Sequence, residues 1–314
     1  MNILRIGLAS LALAAAGLGG SSGANKGYVG LFGDQAVAAF DTTTYQVLTM
    51  IPVTAPDGLV ITPDGSKVYV ASADSGSVKV IDTRKDMVSG SIAVGNMPQG
   101  LSITPDGKRV IVAVQGDGKV VVIDTASDTV VGQAMVGKPH STAVSPDGQV
   151  AYIGSQVTGA TSVTLLGTDT GAVQRANPVD RAPRALAYAP WGKIYFSAIG
   201  LDALEVMDLS GQLGPPIATG GSPHDTRPTV DGKLELLVSQ AAGDLEFIDP
   251  NTASVIGKVA TGNLPHWIGL SSDGKLAWVT NERDNNVVAV DLTTRAVVQT
   301  IAIGSAPRKI AIQP

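Results

Sequence analysis

The chain has 314 residues, 44% hydrophobic but only 4% aromatic, with 37 glycines and 18 prolines. That mixture suits many short Val/Ile/Ala strands joined by tight turns, and it argues against a protein of long helices. The formal net charge is −5 with no run of basic residues, which argues against nucleic acid or an anionic membrane surface as partner; with no cysteine there can be no disulfide, thiolate ligand or lipid on an N-terminal Cys.

In chain order the first element is a leader. MNILRIGLASLALAAAGLGGSSGA carries Arg5, an apolar run from about Ile6 to Leu18, and small residues up to Ser22-Gly23-Ala24. It reads as a secretory signal peptide over residues 1–24, leaving 25–314 as a single domain, and the run is short for a membrane span. No later segment holds 18 uninterrupted apolar residues, so no transmembrane span is expected after signal removal. The expected address is the periplasm, or the secreted or cell-surface space.

From there the sequence repeats. Pro56, Pro98, Pro139, Pro183, Pro223, Pro265 and Pro307 each open a phrase Pro-x-x-apolar-x-apolar, at intervals of 42, 41, 44, 40, 42 and 42 residues. A period near 40 with four strand-sized pieces is the mark of a propeller blade. Each copy runs short strand, hairpin turn, second strand, polar loop, third strand and fourth strand. Asp64-Gly65, Asp106-Gly107, Asp147-Gly148, Asp231-Gly232 and Asp273-Gly274 supply the positive φ that tight turns need. The last copy stops after one strand, APRKIAIQP, whereas KGYVGLFGDQAVAAFDTTTYQVLTMIPV begins mid-repeat, with Tyr28 matching Tyr69, Val37 matching Val78 and Asp41 matching Asp82. The expected fold is therefore all-β, a seven-bladed propeller of four-stranded antiparallel blades, with the ring closed by pairing the N- and C-terminal strands.

Residues 278–304, WVTNERDNNVVAVDLTTRAVVQTIAIG, closely resemble the YVTN-type β-propeller repeat of YncE-like periplasmic and surface-layer proteins. Trp278-Val279-Thr280-Asn281 stands for the Tyr-Val-Thr-Asn of that repeat, and Val290-Asp291 for the end of its Val-Ile-Asp; other blades depart at the Asn position with Ser72, Val114, Ser155, Ala198 and Ser239. The resemblance implies the fold over the whole mature chain. It leaves function open, because similar propellers include lactonases, a lyase, electron-transfer subunits and plain binding scaffolds.

Two sets of polar residues recur. Asp82, Asp124, Asp208, Asp249 and Asp291 close the third strands, where an Asp carboxylate starts a turn by accepting backbone N–H groups. The residue after each phrase-opening proline is Asp57, Gln99, His140, Arg184, His224, His266 or Arg308, polar in every blade and including all three histidines of the chain. The innermost strands of a propeller line its axial channel, so these positions are expected to ring one channel mouth. A regular pleat would instead put Gln99 on the face of Leu101 and Ile103, toward the neighbouring blade, unless the strand bends at the proline.

Three imidazoles suit a transition metal such as copper or zinc, held by His140, His224 and His266. Arg184 among them opposes a bare cation, and Arg184 and Arg308 suit a carboxylate or phosphate-like group. The leading expectation is a binding or interaction module holding a small anionic or metal-containing ligand, or a periplasmic or cell-surface partner protein, at this mouth. An enzyme of the lactonase or lyase kind using the histidines as acid/base groups is the alternative, and an inert surface scaffold is a third. Trp267 either roofs a ligand or packs between blades.

Overall fold

In the computed structural model, which describes residues 25–314, the Val- and Ile-rich segments form seven four-stranded antiparallel sheets, each a meander. The leader expected over residues 1–24 lies outside the described residues. The innermost strands begin at the repeated prolines, at Pro56–Ile61, Pro98–Ile103, Pro139–Val144, Pro183–Ala189, Pro223–Pro228, Pro265–Leu270 and Pro307–Ile312, which define the first to seventh blades. Proline fits the first position of a strand because its missing N–H costs no ladder bond there.

The seventh blade closes the ring as the sequence suggests. Pro307–Ile312 pairs antiparallel with Lys26–Leu31, placing Gly27 opposite Ile312 and Val29 opposite Ile310. Gln313 adds a clamp: its backbone N–H donates to the Lys26 carbonyl at 2.8 Å, and its Oε1 accepts from the Lys26 backbone N–H at 3.2 Å. The blades are four antiparallel strands throughout, although the outermost strand of the fourth is only Ile217–Ala218.

The core lies between blades. Tyr69, Val78 and Val80 of the first blade pack against Leu101, Val110 and Val112 of the second, and equivalent clusters fill the other interfaces. Side chains alternate across each strand, so both faces of the middle strands are covered by a neighbour; this accounts for their unbroken apolar runs, such as Val110–Val114.

The two polar turn motifs act locally. Thr62 Oγ1 and the Ser66 backbone N–H donate to Asp64 Oδ1 around Gly65, whose φ is 69°, and the same bonds recur at Asp106, Asp231 and Asp273. The third-strand aspartates accept backbone N–H groups two or three residues on, as at Asp82, Asp124, Asp249 and Asp291.

A further contact joins neighbouring blades at their rims. Lys26 Nζ and Tyr28 Oη each lie 2.7 Å from the Asp86 carboxylate, and Lys67 and Tyr69 grip Asp128 of the next blade in the same way. Burial and the adjacent carboxylate push both tyrosine hydroxyls well above their usual range, which keeps them as donors. Among the described residues no helix is long and apolar enough to cross a membrane.

Candidate functional site

The strand bend that the pleat argument required is present in every blade. Pro139 lies opposite Ser155, but Ser141 lies opposite Gly154, so one extra residue, His140, is inserted into the ladder. The same one-residue shift follows Pro56, Pro98, Pro183, Pro223, Pro265 and Pro307. A β-bulge re-aims the inserted side chain. As a result Asp57, Gln99, His140, Arg184, His224, His266 and Arg308 all line a single cavity of about 390 Å³ at one end of the channel.

Local geometry holds the bulge in place. In every blade the backbone N–H after the second strand, from Phe32 to Glu282, donates at 3.0 Å to the carbonyl of the residue before the proline. In six blades that preceding residue has positive φ, between 35° at Lys138 and 55° at Leu264. Non-glycine residues in this region store of order 1 kcal/mol or more each, and they persist only where the surroundings over-determine them.

The same hydrogen-bonded column places a second set of side chains behind the first. It reads Phe32, Ala73, Gln115, Gln156, Ile199, Gln240 and Glu282. Gln99 donates to Gln115 at 3.1 Å, Gln115 to Gln156 at 3.3 Å, and Gln156 to the Pro183 carbonyl at 2.8 Å, a relay of amides crossing three blades. Glu282 lies 3.6 Å from His266 Nε2 and 3.9 Å from Arg308, which also faces Asp57 at 3.6 Å and stacks on Phe32 at 3.8 Å. Sequence reasoning missed this column although it repeats in register; the signal was the run of Gln and Glu one residue past the Tyr-Val-Thr-Asn position.

The next position along the innermost strands was also missed. It is small in the first four blades, Gly58, Gly100, Ser141 and Ala185, and large in the last three, Asp225, Trp267 and Lys309. Lys309 Nζ sits 3.9 Å above the Trp267 ring, and Arg227 covers the same indole at 5.4 Å. Trp267, 8% exposed, belongs to the core between the sixth and seventh blades and lines the cavity as well.

The cavity is cationic. Arg308 is shared by two carboxylates, whereas among the described residues no carboxylate lies within ion-pairing distance of the Arg184 guanidinium. Burial lowers the Arg184 pKa, partly offset by Glu282. Burial likewise pushes the Lys309 ammonium down to about 8, against the pull of Asp57 and Asp225. His224 and His266 stand with ring centroids 4.2 Å apart, and burial, reinforced by His266 and Arg184 at His224 and by Arg308 and Arg184 at His266, holds both well below the usual imidazole range. Both rings are therefore neutral at pH 7, and their buried Nδ1 atoms have no hydrogen-bond partner.

Among the described residues no group of three or more His, Asp or Glu side chains is placed to hold a metal ion. His140 Nδ1 is 2.8 Å from the Arg184 carbonyl oxygen, and Arg184, Arg308 and Lys309 bring positive charge to the space that the three imidazoles line.

A seven-bladed propeller with an ionic cavity at one channel mouth defines the class of protein. Residues 183–312 match the family described as YNCE-like beta-propeller, and the same four-stranded blade repeats around the ring. No curated protein matches it in sequence. Similar solved structures include a protein of unknown function from Desulfotomaculum acetoxidans, with TM-score 0.79 and 15% identity over 92% of this chain and 98% of that one. Hydrazine synthase from Kuenenia stuttgartiensis gives TM-score 0.74 and 22% identity over 83% and 90%, and apo AztD from Citrobacter koseri gives 0.69 and 12% over 92% and 97%. At these identities the likeness is one of fold.

Proposed function

We propose that the protein is an exported, periplasmic binding module that holds a small anionic ligand, a carboxylate or phosphate-like group, at the mouth ringed by Asp57, Gln99, His140, Arg184, His224, His266 and Arg308. The observation that carries this reading is the half-buried Arg184 guanidinium, which faces the cavity without a carboxylate partner while neutral His224 and His266 beside it leave buried nitrogens unpaired. A guanidinium grips a carboxylate or phosphate by two parallel hydrogen bonds, and those bonds strengthen where water is excluded.

Titration calorimetry with succinate and with inorganic phosphate tests it. Binding that weakens about ten- to a hundredfold in Arg184→Gln is expected, from the roughly 1.5–3 kcal/mol of a charged hydrogen bond. Wild-type protein that takes up neither probe at millimolar concentration sinks the idea and leaves partner capture or an inert scaffold.

The pair of neutral imidazoles beside fixed cations supports a second reading, an enzyme of the lactonase or lyase kind with His224 or His266 as general base and Arg184 steadying developing negative charge. Turnover of a lactone panel that is lost in His266→Gln separates it from simple binding.

A further inference from the structure

The opposite end of the channel has contrasting chemistry. Five residues after the repeated proline the innermost strands present Ile61, Ile103, Val144, Tyr188, Leu270 and Ile312, where the first mouth presents ionisable groups. Two adjoining cavities of about 340 and 260 Å³ open there and share Val60, Ile103, Arg227 and Leu270. The larger falls in the range of small-molecule sites, roughly 300–1,000 Å³, and the smaller extends it.

Among the described residues Arg227 is the only charged side chain that lines either cavity. Its Nε is fixed at 3.1 Å from Asp225 Oδ2, and Asp225, 1% exposed, is itself held by the Ile268 backbone N–H at 3.0 Å. The guanidinium lies against Trp267, and among the described residues no hydrogen bond engages its two terminal nitrogens. Ser102 Oγ and Thr142 Oγ1, both on the wall of the larger cavity, are buried and without partners. An oriented fork with two unengaged terminal nitrogens, set among Ile, Val and Leu side chains, is complementary to a carboxylate carrying an apolar tail.

We propose that this second mouth is a binding site for an amphiphilic carboxylate, its head on Arg227 and its aliphatic or aromatic tail against the Ile, Val and Leu ring. The site is separate from the polar mouth and does not rest on what the polar mouth binds.

Calorimetry of the whole protein with hexanoate, octanoate, acetate and 1-octanol tests the site. Octanoate should bind, with about fourfold gained per methylene relative to hexanoate, and acetate and 1-octanol should bind far more weakly because each lacks one half of the ligand. Arg227→Gln should weaken octanoate about ten- to a hundredfold. Because that change strips Asp225 of its ion pair, Ile103→Glu provides a second variant that keeps the pair and sets a repelling carboxylate in the cavity; it should weaken octanoate comparably while retaining the wild-type melting profile. Arg184→Gln, at the other mouth, should leave octanoate affinity unchanged. The proposal is overturned if wild-type protein takes up no octanoate at millimolar concentration, if Ile103→Glu binds it as wild type does, or if Arg184→Gln abolishes the binding.

Discussion

The ammonium of Lys309 lies 3.9 Å from the centre of the Trp267 indole, buried in the channel with Asp57, Asp225 and Arg227 as its charged surroundings. Burial lowers its pKa to about 8, the two carboxylates pull upward, and Arg227 opposes the charge. The group is cationic at pH 7 and largely neutral at pH 9, so affinity for an anion at the polar mouth should fall as pH rises through about 8. Calorimetry with phosphate-free buffers and succinate as ligand reads the fall, and Lys309→Met should remove it; an unchanged pH profile in that variant would assign the titration elsewhere.

His224 and His266 set the opposite limb of the stability profile. Both are held well below the ordinary imidazole value of about 6.5 in the folded protein, first by burial. Below pH 6.5 the unfolded chain takes up protons that the folded chain refuses, so stability falls as pH drops from 6.5 toward the folded values. Thermal melts between pH 7.5 and 5 should show the loss, and His266→Gln should flatten part of it relative to wild type.

Asp86 receives both Lys26 and Tyr28 across a blade boundary, with side chains only 15–17% exposed for the ion pair. Asp86→Ala leaves the buried tyrosine hydroxyl without its acceptor, at a cost of about 1–3 kcal/mol. Chemical denaturation should register that loss, whereas Asp82→Glu, which keeps a carboxylate at the start of the same turn, serves as control.

The first blades approach each other too closely for a side chain next to the bulge. A Cβ on Gly58 would collide with the Gln99 carbonyl oxygen, and one on Gly100 with the His140 carbonyl and Ser141 Cα. The obstacles are backbone atoms, so relief requires moving a strand. Gly58→Ala should destabilise by about 1–3 kcal/mol or more, and it should also weaken ligand binding by displacing Gln99. A variant with wild-type stability would show that the strand yields freely.

Blade number, strand order and ring closure were legible because the proline phrase, the Asp-Gly turns and the final single strand repeat with fixed spacing. The ring of residues after the prolines was legible as a column, but not its direction. Alternation predicts that Gln99 shares a face with Leu101, and only the inserted bulge residue overturns that, a property of backbone pairing that leaves no composition signal of its own. Glu282 and Gln240 sat in an equally regular column that was not aligned. Lys309 and Trp267 were harder, since their column is glycine or another small residue in four blades and breaks its pattern where the channel fills. His140, placed by the same rule as His224, has a ring nitrogen held at the Arg184 carbonyl, and no spacing argument reaches that far.

Pairing of Pro307–Ile312 with Lys26–Leu31 makes the order of synthesis matter. Six blades can form their strands as the chain emerges, but the three-stranded sheet built from Lys26–Pro52 waits with a bare edge until the last segment is made. Completion of the ring thus waits for a strand about 280 residues downstream of its partner. A stop codon just before Pro307 would leave six blades in an open arc with an unmatched strand at the seam.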